Sequence, residues 1–155
     1  MSGPPGGRVG AGEGPSEMTG EPFPHAGRSE GAVRVLVADD NAAIRESLSD
    51  IIRLRGYQVV EAADGRQALD LVSAGAVDIV LIDLHMPEMD GVTVIQSLPS
   101  SPPPIVIVYS AFELFTQDAV TEAVGPRIFR ALRKPVAPIQ VLTALSEAEA
   151  ELAHR

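Results

Sequence analysis

Apolar residues along this chain follow two alternating rhythms. Five short segments, near residues 33–38, 58–62, 78–83, 105–109 and 128–132, are rich in β-branched residues and read as strands. One of them, Ile79 to Ile82, is wholly apolar, the pattern of a strand buried on both faces of a parallel sheet. Between them, segments near 42–55, 65–74, 91–98, 113–124 and 138–153 read as helices. In the first helix Ile44, Leu48, Ile51, Ile52 and Arg55 keep the spacing of one buried face with a charged edge. In the last, Ile139, Leu142, Leu145 and Leu152 supply the apolar face, and Glu147, Glu149 and Glu151 read as a solvated acidic face. Five strand–helix units with short connections predict an α/β fold: a doubly wound, five-stranded parallel sheet with helices on both faces and right-handed crossovers. The run Pro99-Ser100-Ser101-Pro102-Pro103-Pro104 forms a stiff connector, since its prolines cannot continue the third helix.

Residues 1–32 are a different material. They hold nine of the fourteen glycines and five of the thirteen prolines, with few large apolar residues beyond Met1, Val9, Met18 and Phe23. Such a segment cannot offset its ordering entropy, so a disordered Gly/Pro-rich extension is expected ahead of a folded domain over residues 33–153. Its plain reading is a solvated linker, or an upstream start with Met18 as the initiator; a docking tail is the functional alternative.

At 155 residues and 45% hydrophobic content the chain can build one domain with a real core. It has no cysteine, which excludes a disulfide framework, a thiolate metal site and a thiol nucleophile, and suits a reducing compartment. No apolar run approaches the roughly 18 residues of a membrane span, and the start lacks a basic-then-apolar signal pattern. A cytoplasmic protein without membrane insertion is therefore expected. A formal net charge of −9 argues against direct contact with nucleic acid, whose phosphates demand clustered Lys and Arg.

Three strand ends carry the candidate chemistry. The segment Asp78 to Gly91, DIVLIDLHMPEMDG, runs an apolar strand into Asp83 and then breaks at Met86, Pro87 and Asp90-Gly91. A carboxylate there emerges at the carboxyl edge of the sheet, where open α/β folds place their ligands. Asp39-Asp40 closes the first strand before Asn41 opens a helix. Lys134, the only lysine beside eleven arginines, follows the fifth strand and precedes Pro135. Taken singly each has a plain reading: Asp83 caps a turn, the Asp pair caps a helix, and Lys134 is a solvated loop cation.

Taken together and in this order, these pieces resemble the receiver domain of two-component response regulators, over about Val33 to Leu152. The resemblance is carried by Asp39-Asp40, by Asp83 in the D-x-x-M-P-x-M-D-G loop, by Ser110-Ala111 after the fourth strand, and by Lys134-Pro135. It implies a flavodoxin-like sheet of strand order 2-1-3-4-5, with the site at the switch point. It further implies that Asp83 is the phosphoacceptor, with Lys134, Ser110 and Asp39 assisting. Mg²⁺ would be held by Asp40, Asp83 and the backbone carbonyl of His85, with Asp39 acting through water. Lys134-Pro135 would be a cis peptide. The partners would be a sensor histidine kinase or a histidine phosphotransfer protein, and a downstream target protein. After Pro135 the sequence leaves room for one helix and no output domain, so a stand-alone receiver is expected, a signalling protein that catalyses its own phosphorylation and dephosphorylation.

Two departures stand out within the resemblance. The aromatic that such domains carry three residues before the lysine is here Ala131, so switching would fall to Tyr109, Phe112 or Phe129, or to the backbone of the fourth strand, its loop and its helix. His85 and Phe112 occupy the positions that flank the open side of the phosphoryl group. Phe112 can neither admit nor orient a water, which predicts a comparatively long-lived phosphorylated form, whereas the His85 imidazole could orient water or block it.

The charges support the assignment on their own terms. At about 5 Å and an effective dielectric near 20, each like-charge pair of carboxylates costs roughly 3 kcal/mol, so a cation is needed. Mg²⁺ fits one or two carboxylates plus waters, and the His85 imidazole suits softer metals. A phosphatase of the haloacid dehalogenase type would need a D-x-D motif and a cap, and has neither here. A phosphorylation-independent pseudo-receiver acting as a protein-binding module would be expected to lack an acid, the hydroxyl or the lysine; all are present.

Overall fold

The computed structural model describes residues 32–75, 77–100, 102–110 and 125–155. Strand β1 (Arg34–Ala38) leads into α1 (Ala42–Leu54), β2 (Gln58–Ala62) into α2 (Gly65–Ser73), and β3 (Ile79–Asp83) into α3 (Gly91–Gln96). After β4 (Ile105–Ser110), a short 3₁₀ turn at Gly125–Arg127 enters β5 (Ile128–Arg133), and α4 (Pro138–Ala153) closes the domain. The helix expected near 113–124 and the Gly/Pro-rich extension over 1–31 lie outside the described residues.

All five strands run parallel in the order β2-β1-β3-β4-β5, so the expected doubly wound architecture is the observed one. Strands β1, β3 and β4 are buried along their whole length, as their largely apolar runs require, with Arg34, Asp83 and Ser110 the buried polar residues at their ends. Side chains alternate between two cores with the period of two of an extended chain. Leu36, Val80, Ile82, Val106 and Val108 pack against Ala68, Val72, Val94 and Ile95 of α2 and α3. Val35, Val37, Ile79, Leu81, Ile107 and Tyr109 pack on the other face against α1 and α4.

Two helix faces differ from the sequence reading. In α1 the buried residues are Leu48, Ser49 and Ile52, while Ile44 is 37% exposed and Arg55 is exposed. Ile44 sits in the first turn, next to the Asn41 cap. In α4 the buried stripe is Val141, Ala144, Leu145 and Ala148, an i, i+3, i+4, i+7 set, and Ile139 is 63% exposed. Leu142 and Leu152 are only partly buried. Two of the four contact positions are alanines, which allow close approach to the sheet; choosing the face by side-chain size alone favoured its flanks. Nor is the acidic face merely solvated. Glu147 accepts from Arg130 Nε at 2.9 Å, and Glu149 accepts from the Tyr57 hydroxyl at 3.0 Å. Burial, followed by the bond to Glu149, pushes the Tyr57 hydroxyl up to about 12.

Arg34 in β1 is a fully buried arginine that no local pattern announces. Its Nε and Nη2 donate to Gln58 Oε1 at 3.1 and 2.7 Å, and its backbone N–H donates to Asp78 Oδ2 at 3.0 Å. At the other edge of the sheet Arg127 donates to the carbonyls of Ile95 at 2.8 Å and Leu98 at 3.2 Å, satisfying groups that the end of α3 leaves open.

Two glycines set the loop that follows β3. A Cβ on Gly91 would lie 2.6 Å from Leu84 Cα and 2.7 Å from the Asp83 carbonyl oxygen, and one on Gly65 would strike the backbone of Met89. Backbone cannot yield as a side-chain tip can, so the first turn of α3 seats against Asp83 only with glycine at position 91. Gly91→Ala is expected to lower stability by about 1–3 kcal/mol, read as a fall in the urea midpoint with an unchanged slope. An unchanged midpoint would show that the loop relaxes without cost.

Candidate functional site

At the carboxyl edge of the sheet, strand parity decides which side chains meet. Asp39 continues the face of Val35 and Val37, and Asp83 that of Ile79 and Leu81. Tyr109, paired with Asp83 in the β3–β4 register, continues the face of Ile105 and Ile107. The Asp39 backbone N–H donates to the Ala62 carbonyl at 3.1 Å, carrying the ladder one residue past β1. The Asp pair does not cap α1. Asn41 does so, its Oδ1 accepting from Ile44 N–H at 3.0 Å. Asp39 Oδ1 accepts instead from Asn41 N–H at 2.8 Å, and Arg45 donates to the Asp39 backbone carbonyl at 2.8 Å.

Asp83 retains part of its plain role, its Oδ1 accepting from His85 N–H at 2.9 Å, but α3 is capped by Asp90. The His85 side chain is exposed. Asp39 and Asp83 are buried, Asp40 is open to solvent, and the three can bring carboxylate oxygens within 4.8 Å of one another. Among the described residues no imidazole joins this set, and the chain has no cysteine. An all-oxygen group with one solvent-facing member fits a hard, partly hydrated cation such as Mg²⁺ and does not fit zinc or copper.

Lys134 follows β5, its backbone N–H donating to the Ser110 carbonyl at 2.8 Å, and the Lys134–Pro135 bond is cis. Its ammonium, on a side chain 28% exposed, lies 2.9 Å from Asp83 Oδ2 and 3.5 Å from Asp39 Oδ2. Burial alone would lower the lysine pKa, but the hydrogen bond and charge of Asp83, reinforced by Asp39, outweigh it and raise the value above 10.5. The stabilisation from this pairing is therefore complete below pH 10.5 and is lost as alkaline pH passes the higher folded-state value.

The Ser110 side chain is fully buried at the end of β4, and its Oγ has no hydrogen-bond partner among the described residues. A buried hydroxyl without a partner is costly and marks a place where a ligand oxygen can be received. Tyr109 is the residue whose part at the site the sequence did not reveal. It is 1% exposed, its hydroxyl donates to Asp39 Oδ2 at 2.8 Å, and the Lys134 ammonium lies 5.1 Å from its ring centroid. Burial, then the neighbouring charge of Asp39, raise its pKa far above the ordinary tyrosine range, so it remains a donor. Strand parity with Asp83 was the signal that could have found it.

Of the residues named for switching, Phe112 lies outside the described set, and Ala131 is exposed opposite Val108. Phe129 is the extra residue where the β4–β5 ladder slips, with the Arg130 guanidinium 4.4 Å from its ring centroid. It enters β5 at the end remote from Lys134.

Known proteins resemble this chain. The family profile described as response regulator receiver domain matches residues 35–146. Response regulator MprA of Mycolicibacterium vanbaalenii is 41% identical over 93 residues, covering 60% of this chain and 38% of that protein. Transcriptional regulatory protein PdtaR of Mycobacterium tuberculosis is 33% identical over 113 residues, covering 72% of this chain and 54% of that protein. The chain thus spans about half or less of the length of these relatives. Among solved structures, the receiver (REC) domain of AraT, a response regulator from Geobacillus stearothermophilus, superposes with a TM-score of 0.70 at 31% identity, covering 79% of this chain and 97% of that one. With the match spanning most of the folded domain and the parallel 2-1-3-4-5 sheet of the receiver fold in place, the chain belongs to the response regulator receiver domain family.

Proposed function

We propose that this domain accepts a phosphoryl group on Asp83 from a histidine kinase, a histidine phosphotransfer protein or a small phosphodonor, and that phosphorylation changes its binding to a downstream protein. The carrying observation is the convergence of three carboxylates within 4.8 Å, with the Lys134 ammonium 2.9 Å from Asp83. The Asp83 carboxylate would attack phosphorus, forming an acyl phosphate as the bond from phosphorus to the donor nitrogen or oxygen breaks; the leaving group takes its proton from solvent. Asp40, Asp83 and the His85 backbone carbonyl would hold Mg²⁺, with Asp39 acting through water. When bound, Mg²⁺ supplies charge neutralisation at the phosphoryl oxygens. Lys134 would follow those oxygens as they form, and the buried Ser110 hydroxyl would find in one of them the partner it lacks. Among the described residues no helix is long and apolar enough to cross a membrane. We place the protein in the cytoplasm, where such phosphodonors are made.

Acetyl phosphate with Mg²⁺ is expected to label the chain once, at Asp83, as read by intact mass and phosphosite mapping. Asp83→Asn should reduce the label to background. Equal labelling in that variant, or in excess EDTA, would favour a phosphorylation-independent binding module.

Lys134→Ala is expected to fold and to bind Mg²⁺ about 3- to 10-fold more tightly, since a cation competing for the acids has gone. It should also lose the phosphorylation-dependent change in backbone amide shifts of β4 and β5. A variant that unfolds, or that keeps the full shift change, contradicts this role.

A further inference from the structure

Tyr109 ties down one particular acid. Asp39 is fully buried, and both of its carboxylate oxygens already hold protein donors: Oδ1 the Asn41 N–H at 2.8 Å, and Oδ2 the Tyr109 hydroxyl at 2.8 Å. Neither donor can retreat easily, one being backbone at a helix cap and the other a phenol 1% exposed. The other two acids differ. Asp40 is open to solvent, and the side-chain donor on Asp83 Oδ2 is the ammonium of a lysine 28% exposed, on a flexible stem that can withdraw. Of the three acids in the cluster, Asp39 is therefore the one that cannot turn to a cation without abandoning a buried hydroxyl. That loss corresponds to roughly tenfold or more in an equilibrium constant.

Coordination chemistry turns this restraint into selectivity. Mg²⁺ is small, holds a strict octahedron and keeps several waters beside one or two carboxylates, whereas Ca²⁺ gathers six to eight oxygens and gains from each further carboxylate. We propose that Tyr109 is a positioning residue that determines cation specificity: by holding Asp39 Oδ2, it keeps the third acid out of direct coordination and so favours Mg²⁺ over Ca²⁺. This inference rests on the cation site proposed above and concerns which ion that site prefers.

Calorimetric titration of the full chain with Mg²⁺ and with Ca²⁺ separates the two. Tyr109→Phe keeps the ring that Lys134 faces and deletes only the donor. Its Ca²⁺ affinity should rise by about fivefold or more while its Mg²⁺ affinity changes by less than about twofold. Asp39→Asn supplies an independent arm. If Asp39 acts only through its field, both affinities fall by the same factor, and adding Tyr109→Phe to Asp39→Asn no longer moves their ratio. A Ca²⁺-to-Mg²⁺ ratio unchanged in a folded Tyr109→Phe variant overturns the proposal. So does an Asp39→Asn variant that loses Ca²⁺ selectively, since Asp39 would then already touch the ion. If the unaltered chain binds neither cation, the parent reading falls with it. If it binds Mg²⁺ and is labelled at Asp83 while the ratio fails to move, only the assignment of Tyr109 is wrong.

Discussion

Two carboxylates buried side by side at the ends of adjacent parallel strands must be answered by positive charge, and the surroundings of β1 and β3 are arranged to answer them. Asp39 and Asp83 are held by backbone N–H groups from Asn41 and His85, by the Lys134 ammonium, and in the case of Asp39 by a buried phenol. These donors are fixed by the fold or by burial, with Lys134 the one able to move. Asp40 stays in solvent beside them and leaves the cluster open on one side. The charges of the site are thus answered from within the fold while one side stays open to solvent.

The rest of the domain serves to keep those strand ends in register. Parallel pairing places Ala38 against Ile82 and Asp83 against Tyr109, so Asp83, Tyr109 and Ser110 are located by the main-chain ladder, and Asp39 and Lys134 directly follow strands of it. Two close-packed cores, one on each face, hold the sheet between its helices. The loop after Asp83 is pinned at Gly65 and Gly91, where a methyl group would meet backbone. Arg127 joins the entry of β5 to the end of α3 on the far side from the acids.

The position three residues before the lysine, where the resemblance implies an aromatic, is here Ala131. Ala131 offers no ring to swing behind Ser110, Tyr109 is committed to Asp39, and Phe129 occupies a slip in the ladder at the opposite end of β5. The pairing of β5 with β4 brings the Lys134 backbone onto the Ser110 carbonyl, which links the two residues through main chain.

The sequence by itself determined the fold class, the order of the described strands and helices, the strand bounds to within a residue, and the acids and lysine that stand at three strand ends. It could do so because strand and helix periods, Gly-Pro punctuation and apolar runs are local properties. It placed Leu48 and Ile52 of α1 and Leu145 of α4 correctly but missed Ser49, Val141, Ala144 and Ala148 beside them, because which turn of a helix meets the sheet depends on the partner surface. It gave no sign of the buried Arg34, whose partners lie 24 and 44 residues away. Above all it could not place Tyr109 on Asp39, 70 residues apart in the chain, since that contact exists only once three strands are in register and their side-chain parities coincide. Local pattern chose the residues; the tertiary pairing of β1, β3 and β4 decided which of them share a charge.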